Sequence, residues 1–227
     1  WDLNTGILSG DAMLIRAYQL FENYPPKTFR ELAKLFSKTA LEVCEGQQYD
    51  IDFETRIEVS VPEYLKMIEY KTAVLVGAAM KMGAIVANAS TEDQDRCYAF
   101  GKNLGIAFQL QDDYLDAFGN PETFGKQVGG DILENKKTYL FLKAIENGSP
   151  DIVDELTQLY QNNAINPENK VSKTLKLFVR SEAHNATKEA ISFYTKAAFD
   201  ILETINISSK NKQILKGFGT ELMTRDV

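Results

Sequence analysis

Residues 108–119 read FQLQDDYLDAFG, so that three carboxylates, Asp112, Asp113 and Asp116, fall within five positions. On a helix Asp112 and Asp116 stand at i, i+4 and share a face, with Asp113 about 100° round. Like charges at that spacing repel, weakly when exposed and strongly when desolvated. The neighbours Phe108, Leu110, Tyr114, Leu115 and Phe118 have the character of core, not of a solvated rim. A divalent cation lying over the acidic face would resolve the conflict. Carboxylate-only ligation is hard-oxygen chemistry and favours Mg²⁺, which keeps waters and seldom takes a full protein cage. A phosphorylated substrate would then supply further ligands. The competing reading is a solvated acidic helix end leading into a turn at Gly119; the apolar neighbours favour a site. An EF-hand is excluded, because its loop spacing and glycine are missing.

Cations that could meet such a substrate lie in two places. Lys71 and Thr72 stand at the entrance of the most apolar segment, MIEYKTAVLVGAAM, where either could reach a buried anion; taken alone, a lysine snorkelling from a helix end explains the position as well. The stretch GKQVGGDILENKK, residues 125–137, follows the aspartates and carries Lys126, Lys136 and Lys137. It has no P-loop pattern and by itself describes an ordinary surface loop. GQQYD, residues 46–50, offers Asp50 and an amide, although a helix end capped by Gly46 accounts for it equally. The one histidine, His184, has no other ligand type around it and suits a structural hydrogen bond.

The elements needed to position these groups are helical. Apolar spacing predicts helices over 9–24 (with Asp11 near its start and Pro25-Pro26 after it), 28–45 and 61–89, the last with Pro62 in its first turn. Ser90-Thr91 caps a helix over about 92–118 that contains the aspartates. A Gly-rich loop over 119–131 precedes helical patterns at 132–147, 151–163, 168–206 and 209–225. No strand alternation, repeat or linker is evident. The chain is expected to be all-α and a single domain over residues 1–227.

Composition removes several classes of function. The 227 residues carry a net charge of −7, unsuited to a nucleic-acid partner. Two cysteines, Cys44 and Cys97, make no disulfide framework and suit a reducing, cytoplasmic setting. A single histidine leaves no material for a histidine metal site or a Ser-His triad. Residues 72–89 are apolar for 18 positions apart from Thr72, Lys81 and Asn88. A central lysine would cost about 2.5–3.5 kcal/mol on insertion, so a buried bundle helix is the better reading. WDLNTGILSG shows no signal peptide and opens without Met, so a longer polypeptide, N-terminally incomplete here, is expected.

Together the segments resemble the trans-isoprenyl diphosphate synthases, polyprenyl synthetases of the farnesyl diphosphate synthase type. GDAMLIRAYQL is similar to the family's GD helix, GQQYD to its GQxxD segment and YKTA to its Lys-Thr helix. FQLQDDYLDAFG with the following GK, GGD and NK resembles the second Asp-rich motif and its lysine-bearing tail. The resemblance implies a bundle of long antiparallel helices around a central cavity, usually a homodimer. It implies Mg²⁺-dependent condensation of isopentenyl diphosphate with an allylic diphosphate, through an allylic carbocation. It puts Asp112 on the metal, with Asp113 and Asp116 completing the acidic face and Asp50 as an additional ligand. It gives Lys71, Lys126 and Lys136 the allylic diphosphate, and Thr72 and Gln109 the cation. The family's first Asp-rich motif is not found in this sequence, and the 227 residues alone are expected to be inactive. A non-catalytic partner subunit and a class I terpene cyclase are the competing readings. The first is disfavoured by the intact lysines, the second by the lack of an (N/D)Dxx(S/T)xxxE motif.

Overall fold

Capping chemistry sets where the helices begin. The Ser60 side chain accepts from the Glu63 N–H while Glu63 reaches back to the Ser60 N–H, a reciprocal capping box that opens α3 (Val61–Ile68). Ser90 caps α5 (Thr91–Phe118) through the Asp93 N–H, and Asp2 caps α1 (Leu3–Gln19) through the Thr5 N–H. The remaining elements are α2 (Pro26–Thr55), α4 (Val74–Val86), a single turn α6 (Gly130–Leu133), α7 (Tyr139–Asn147), α8 (Pro150–Gln161), α9 (Pro167–Arg180), α10 (Ala183–Thr204) and α11 (Ser209–Thr224). A five-residue π-helical turn, Glu69–Ala73, joins α3 to α4. The computed structural model describes residues 2–120, 128–161 and 165–224, and every regular element among them is helical.

Helix α5 is the axis of the bundle. It packs along α4 on one side and α10 on another, and it also touches the π turn, α6, α7 and α11. Three apolar clusters form the core and α5 contributes to each: Phe100 and Leu104 to one, Ile106 and Leu110 to the second, Ala117 to the third. Burying side chains of this size contributes roughly 1.5–3 kcal/mol each. No helix among the described residues is long and apolar enough to cross a membrane. Residues 72–86 lie instead in the π turn and α4, which pack against α5 and α2.

The structure corrects four sequence expectations. Helix α1 starts at Leu3 under the Asp2 cap, so Asp11 lies in its middle. Gly46 does not end α2, which runs on to Thr55. A Cβ at Gly46 would collide with the backbone of Tyr70 at 2.7 Å and with Lys71 Cα at 2.8 Å. The glycine therefore serves close helix approach, not capping. The pattern over 168–206 is two helices, because Glu182 turns into the left-handed region at φ 60°. Over 132–147 the longer helix begins only at Tyr139; a turn with Asn135 at φ 57° comes first.

Candidate active site

Helix α5 passes one wall of a cavity of about 260 Å³ that is closed by α2, by α3 with the π turn, and by residues 131–138. Its lining carries both signs of charge: Asp50, Glu54, Asp112, Asp113 and Asp131 contribute carboxyl groups, and Lys71, Lys136 and Lys137 contribute ammonium groups. Phe53, Met67 and Ile68 supply an apolar floor.

The π turn explains why Lys71 faces this space. An extra residue in the helix widens one turn and re-aims the side chains on it. Gly46 lets α2 meet the turn at Tyr70 and Lys71, and Gly105 lets α5 meet it at Ala73, where a Cβ would lie 2.6 Å from Ala73 Cα. Lys71 Nζ donates to Asp50 Oδ2 at 2.6 Å, pairing the two sequence-predicted residues across the cavity wall. Thr72, on the same turn, donates its hydroxyl to Gln109 Oε1 at 3.0 Å.

The three aspartates of the motif take different places. Asp112 lines the cavity. Asp113 also lines it but is buried, and both its oxygens are engaged: Oδ2 accepts from the Tyr64 hydroxyl and Oδ1 from Gln109 Nε2 at 3.0 Å. Burial pushes the Asp113 carboxyl up to about 7, and the neighbouring charges of Asp131 and Asp112 add to this. Asp116 stands off the lining. Its Oδ2 accepts the Asp131 N–H at 3.0 Å, and its carboxyl is held up at about 6 by burial and by the Asp131 charge. It thereby anchors the short turn that carries Asp131.

Lys136 donates to Asp131 at 2.8 Å and lies 2.8 Å from Glu134. Burial works against its charge, yet those two bonds keep its pKa above the ordinary lysine range. Lys137 Nζ donates to the Phe53 carbonyl at 2.8 Å, which ties residues 136–138 to α2. Its pKa is lowered by burial and by the nearby Arg56 charge. Lys126 lies outside the described residues. His184 packs tilted against Phe118 with ring centroids 6.2 Å apart, and its buried Nδ1 has no hydrogen-bond partner among the described residues. The expected structural hydrogen bond is thus absent at that atom.

Asp131 and Tyr64 line the cavity without being among the candidates that the sequence offers, as do Glu54 and Thr138. Asp131 is visible within the GGD triplet, but its neighbours read as a turn. Tyr64 leaves no signal, because its partner lies 49 positions away.

Asp112 and Asp131 both line the cavity and are hard-oxygen ligands of the type a divalent cation takes. Among the described residues no three acid, cysteine or histidine side chains gather to hold an ion alone. A cation here would therefore share its shell with a ligand or with groups beyond these residues. The arrangement can hold an anion between ammonium groups and a carboxylate-bound cation, beside an amide and a hydroxyl.

Comparison with known proteins agrees with this chemistry. The polyprenyl synthetase family model matches residues 1–178. A short chain isoprenyl diphosphate synthase of Methanothermobacter thermautotrophicus is 31% identical over 215 residues, 94% of this chain and 65% of that protein. The chain matches less than half the length of two other archaeal relatives, 44% and 46%. A crystal structure of a geranylgeranyl pyrophosphate synthase superposes with a TM-score of 0.94 at 54% identity, covering 99% of this chain and 70% of that one. The geranylgeranyl pyrophosphate synthase of Corynebacterium glutamicum, complexed with calcium and isoprenyl diphosphate, superposes at 0.84 with 28% identity, covering 99% and 68%. With the family model spanning most of the chain and the fold shared along nearly all of it, the protein belongs to the polyprenyl synthetase family of trans-isoprenyl diphosphate synthases.

Proposed function

We propose that the protein condenses isopentenyl diphosphate with an allylic diphosphate (dimethylallyl, geranyl or farnesyl) to make a short-chain trans-polyprenyl diphosphate. The observation that carries this reading is one cavity lined by carboxylates and lysines together, with Lys71 paired to Asp50, Lys136 paired to Asp131, and Thr72 bonded to Gln109 on the lining. Relatives named for geranylgeranyl and geranylfarnesyl products favour that product class.

Asp112 would hold the metal directly, with Asp131 facing it and Asp50 as a further ligand; Asp113 and Asp116 complete the acidic face from behind. Mg²⁺ is the cation that suits these ligands, and when bound it supplies charge neutralisation on a leaving diphosphate. Calcium and isoprenyl diphosphate together in the Corynebacterium protein support a cation shared with a diphosphate. Lys71 and Lys136 donate hydrogen bonds to the allylic diphosphate, and Lys126 is proposed as a third donor. As the carbon–oxygen bond to the diphosphate breaks, negative charge grows on the leaving oxygen, where these ammonium groups stand. Positive charge grows on the allylic carbon, where the Thr72 hydroxyl oxygen and the Gln109 amide oxygen can face it. The apolar floor of Phe53, Met67 and Ile68 excludes water that would otherwise quench that carbon.

The assembly we propose is a homodimer in the cytoplasm. Helix α1 has no buried residue, and Leu3, Ile7, Leu8 and Ile15 lie exposed along it, a patch that suits a second copy. The free cysteines suit a reducing compartment.

The test is full-length protein incubated with isopentenyl diphosphate, each allylic primer in turn and Mg²⁺. Pyrophosphate release and a lengthened prenyl product are expected; no release with any primer overturns the reading.

A further inference from the structure

Tyr64 lies on the cavity, and nothing above gives it a part in the reaction. It sits in the first turns of α3, is 2% exposed, and gives its hydroxyl proton to Asp113 Oδ2. From there the bonds run on without a gap. Gln109 Nε2 donates to the other Asp113 oxygen at 3.0 Å, and Gln109 Oε1 accepts from the Thr72 hydroxyl at 3.0 Å. Four side chains from α3, the π turn and α5 thus form one continuous chain whose bonds converge on Asp113.

The direction has a consequence for Gln109. Both oxygens of Asp113 accept, Oδ2 from the Tyr64 hydroxyl and Oδ1 from Gln109, so the amide of Gln109 turns its NH₂ group toward Asp113. Its carbonyl oxygen is then committed to the Thr72 side. With the amide reversed, an oxygen would face the carboxylate and an NH₂ would face the hydroxyl. Asp113 is what holds the amide the right way round, and Tyr64 is what holds Asp113. Without the phenol, Oδ2 would be a buried acceptor with its donor gone, and the carboxylate could rotate to seek another. The low polarity around Tyr64 and the Asp113 charge both keep the phenol protonated, and therefore a donor.

We propose that Tyr64 is a positioning residue: through Asp113 it fixes the amide of Gln109, and so aims the Gln109 and Thr72 oxygens at the allylic carbon. The proposal rests on the prenyl-transfer reading above for its catalytic consequence, but the orienting itself does not.

Tyr64→Phe in the full-length protein keeps the ring and removes only the hydroxyl. The expected result is a fall in kcat of about 10- to 100-fold, the size of a lost hydrogen bond to a charged group, with KM for isopentenyl diphosphate within about twofold. A second readout needs no substrate or metal. The side-chain amide resonance of Gln109, assigned by its loss in Gln109→Asn, should move or broaden in Tyr64→Phe and stay in place in Tyr139→Phe, whose ring lies 6.2 Å from that of Tyr64. A third uses Asp113→Asn. The introduced amide can turn either its oxygen or its NH₂ to Gln109 and no longer fixes it, so the double variant with Tyr64→Phe should be about as slow as the slower single variant.

An active wild type, with Tyr64→Phe at the wild-type kcat and an unmoved Gln109 resonance, overturns the proposal. Multiplicative losses in the double variant overturn it too, and they remain readable even if Tyr64→Phe alone is poorly stable. A wild type inactive with every primer sinks the prenyl-transfer reading instead, while the resonance still decides whether Tyr64 orients Gln109.

Discussion

Helices α1 and α5 stand at opposite limits of what a helix can do in this molecule. Helix α5 buries eleven of its 28 residues and contributes to all three apolar clusters, whereas α1 buries none of its 17. Yet α1 is rich in leucine and isoleucine, while α5 carries Asp112, Asp113, Asp116 and Gln109 among its apolar residues. Side-chain polarity alone would rank them in the reverse order. On the function and dimer proposed above the order makes sense: α5 would be enclosed to keep its polar face from water, and α1 would be apolar because a second copy covers it.

The sharpest way to break this contrast is at Asp112. Asp112→Ala in the full-length protein is expected to lower Mg²⁺-dependent turnover by about 10³-fold or more while far-UV circular dichroism and the unfolding midpoint persist. Equal turnover would remove the metal role from α5.

Next in size is pH. The Asp113 carboxyl is raised from 3.8 to about 7 in the fold. A raised folded-state value means that the protonated form stabilises the protein. That contribution is full below the unfolded value, about pH 4, and is lost as pH rises through 7. Denaturant unfolding of metal-free protein, referenced to Asp113→Asn, should show a loss of up to about 4 kcal/mol across that window. A flat difference would mean that Asp113 is not buried as described.

A smaller effect is expected at the contact between α2 and the π turn. Gly46→Ala places a methyl group against the backbone of Tyr70 and Lys71 and should cost about 1–3 kcal/mol in thermal or chemical unfolding. Smallest of all is α1, where Leu8 is 68% exposed. Leu8→Glu should change stability by less than about 0.5 kcal/mol, yet shift the full-length protein toward monomer in sedimentation. If it instead unfolds the bundle, α1 belongs to the core and the contrast fails.

The all-α class and the span of α5 are legible in periodicity, whereas the gathering of Asp112, Asp113, Lys71, Lys136 and Asp50 at one cavity follows only from the family resemblance, because taken singly Lys71, Lys136 and Asp50 read as surface or capping residues. Other features leave no local mark. EYKTA has the composition of any helix, so its π geometry is set by what packs on it: Gly46 from α2 and Gly105 from α5. Gly46 reads as a cap because a glycine in a polar stretch looks the same whether it ends a helix or admits a neighbour. The separate duties of Asp112, Asp113 and Asp116 depend on Tyr64 and on the turn at Asp131, contacts that no spacing rule describes.

The π turn also acts as a phase shifter. Helices α3 and α4 form one nearly continuous rod, but α3 presents Tyr64, Met67 and Ile68 to the cavity while α4 packs along α5, with Gly77 against Tyr98 and Gly101. One residue is about 100° of rotation on a helix, so the widened turn sets the angle between these two stripes. Deleting a single residue from 69–73 would leave two well-formed helices, yet turn one stripe away from its partner. Tolerance to insertion and deletion along this rod should therefore collapse at one point, well inside a segment whose composition gives no warning of it.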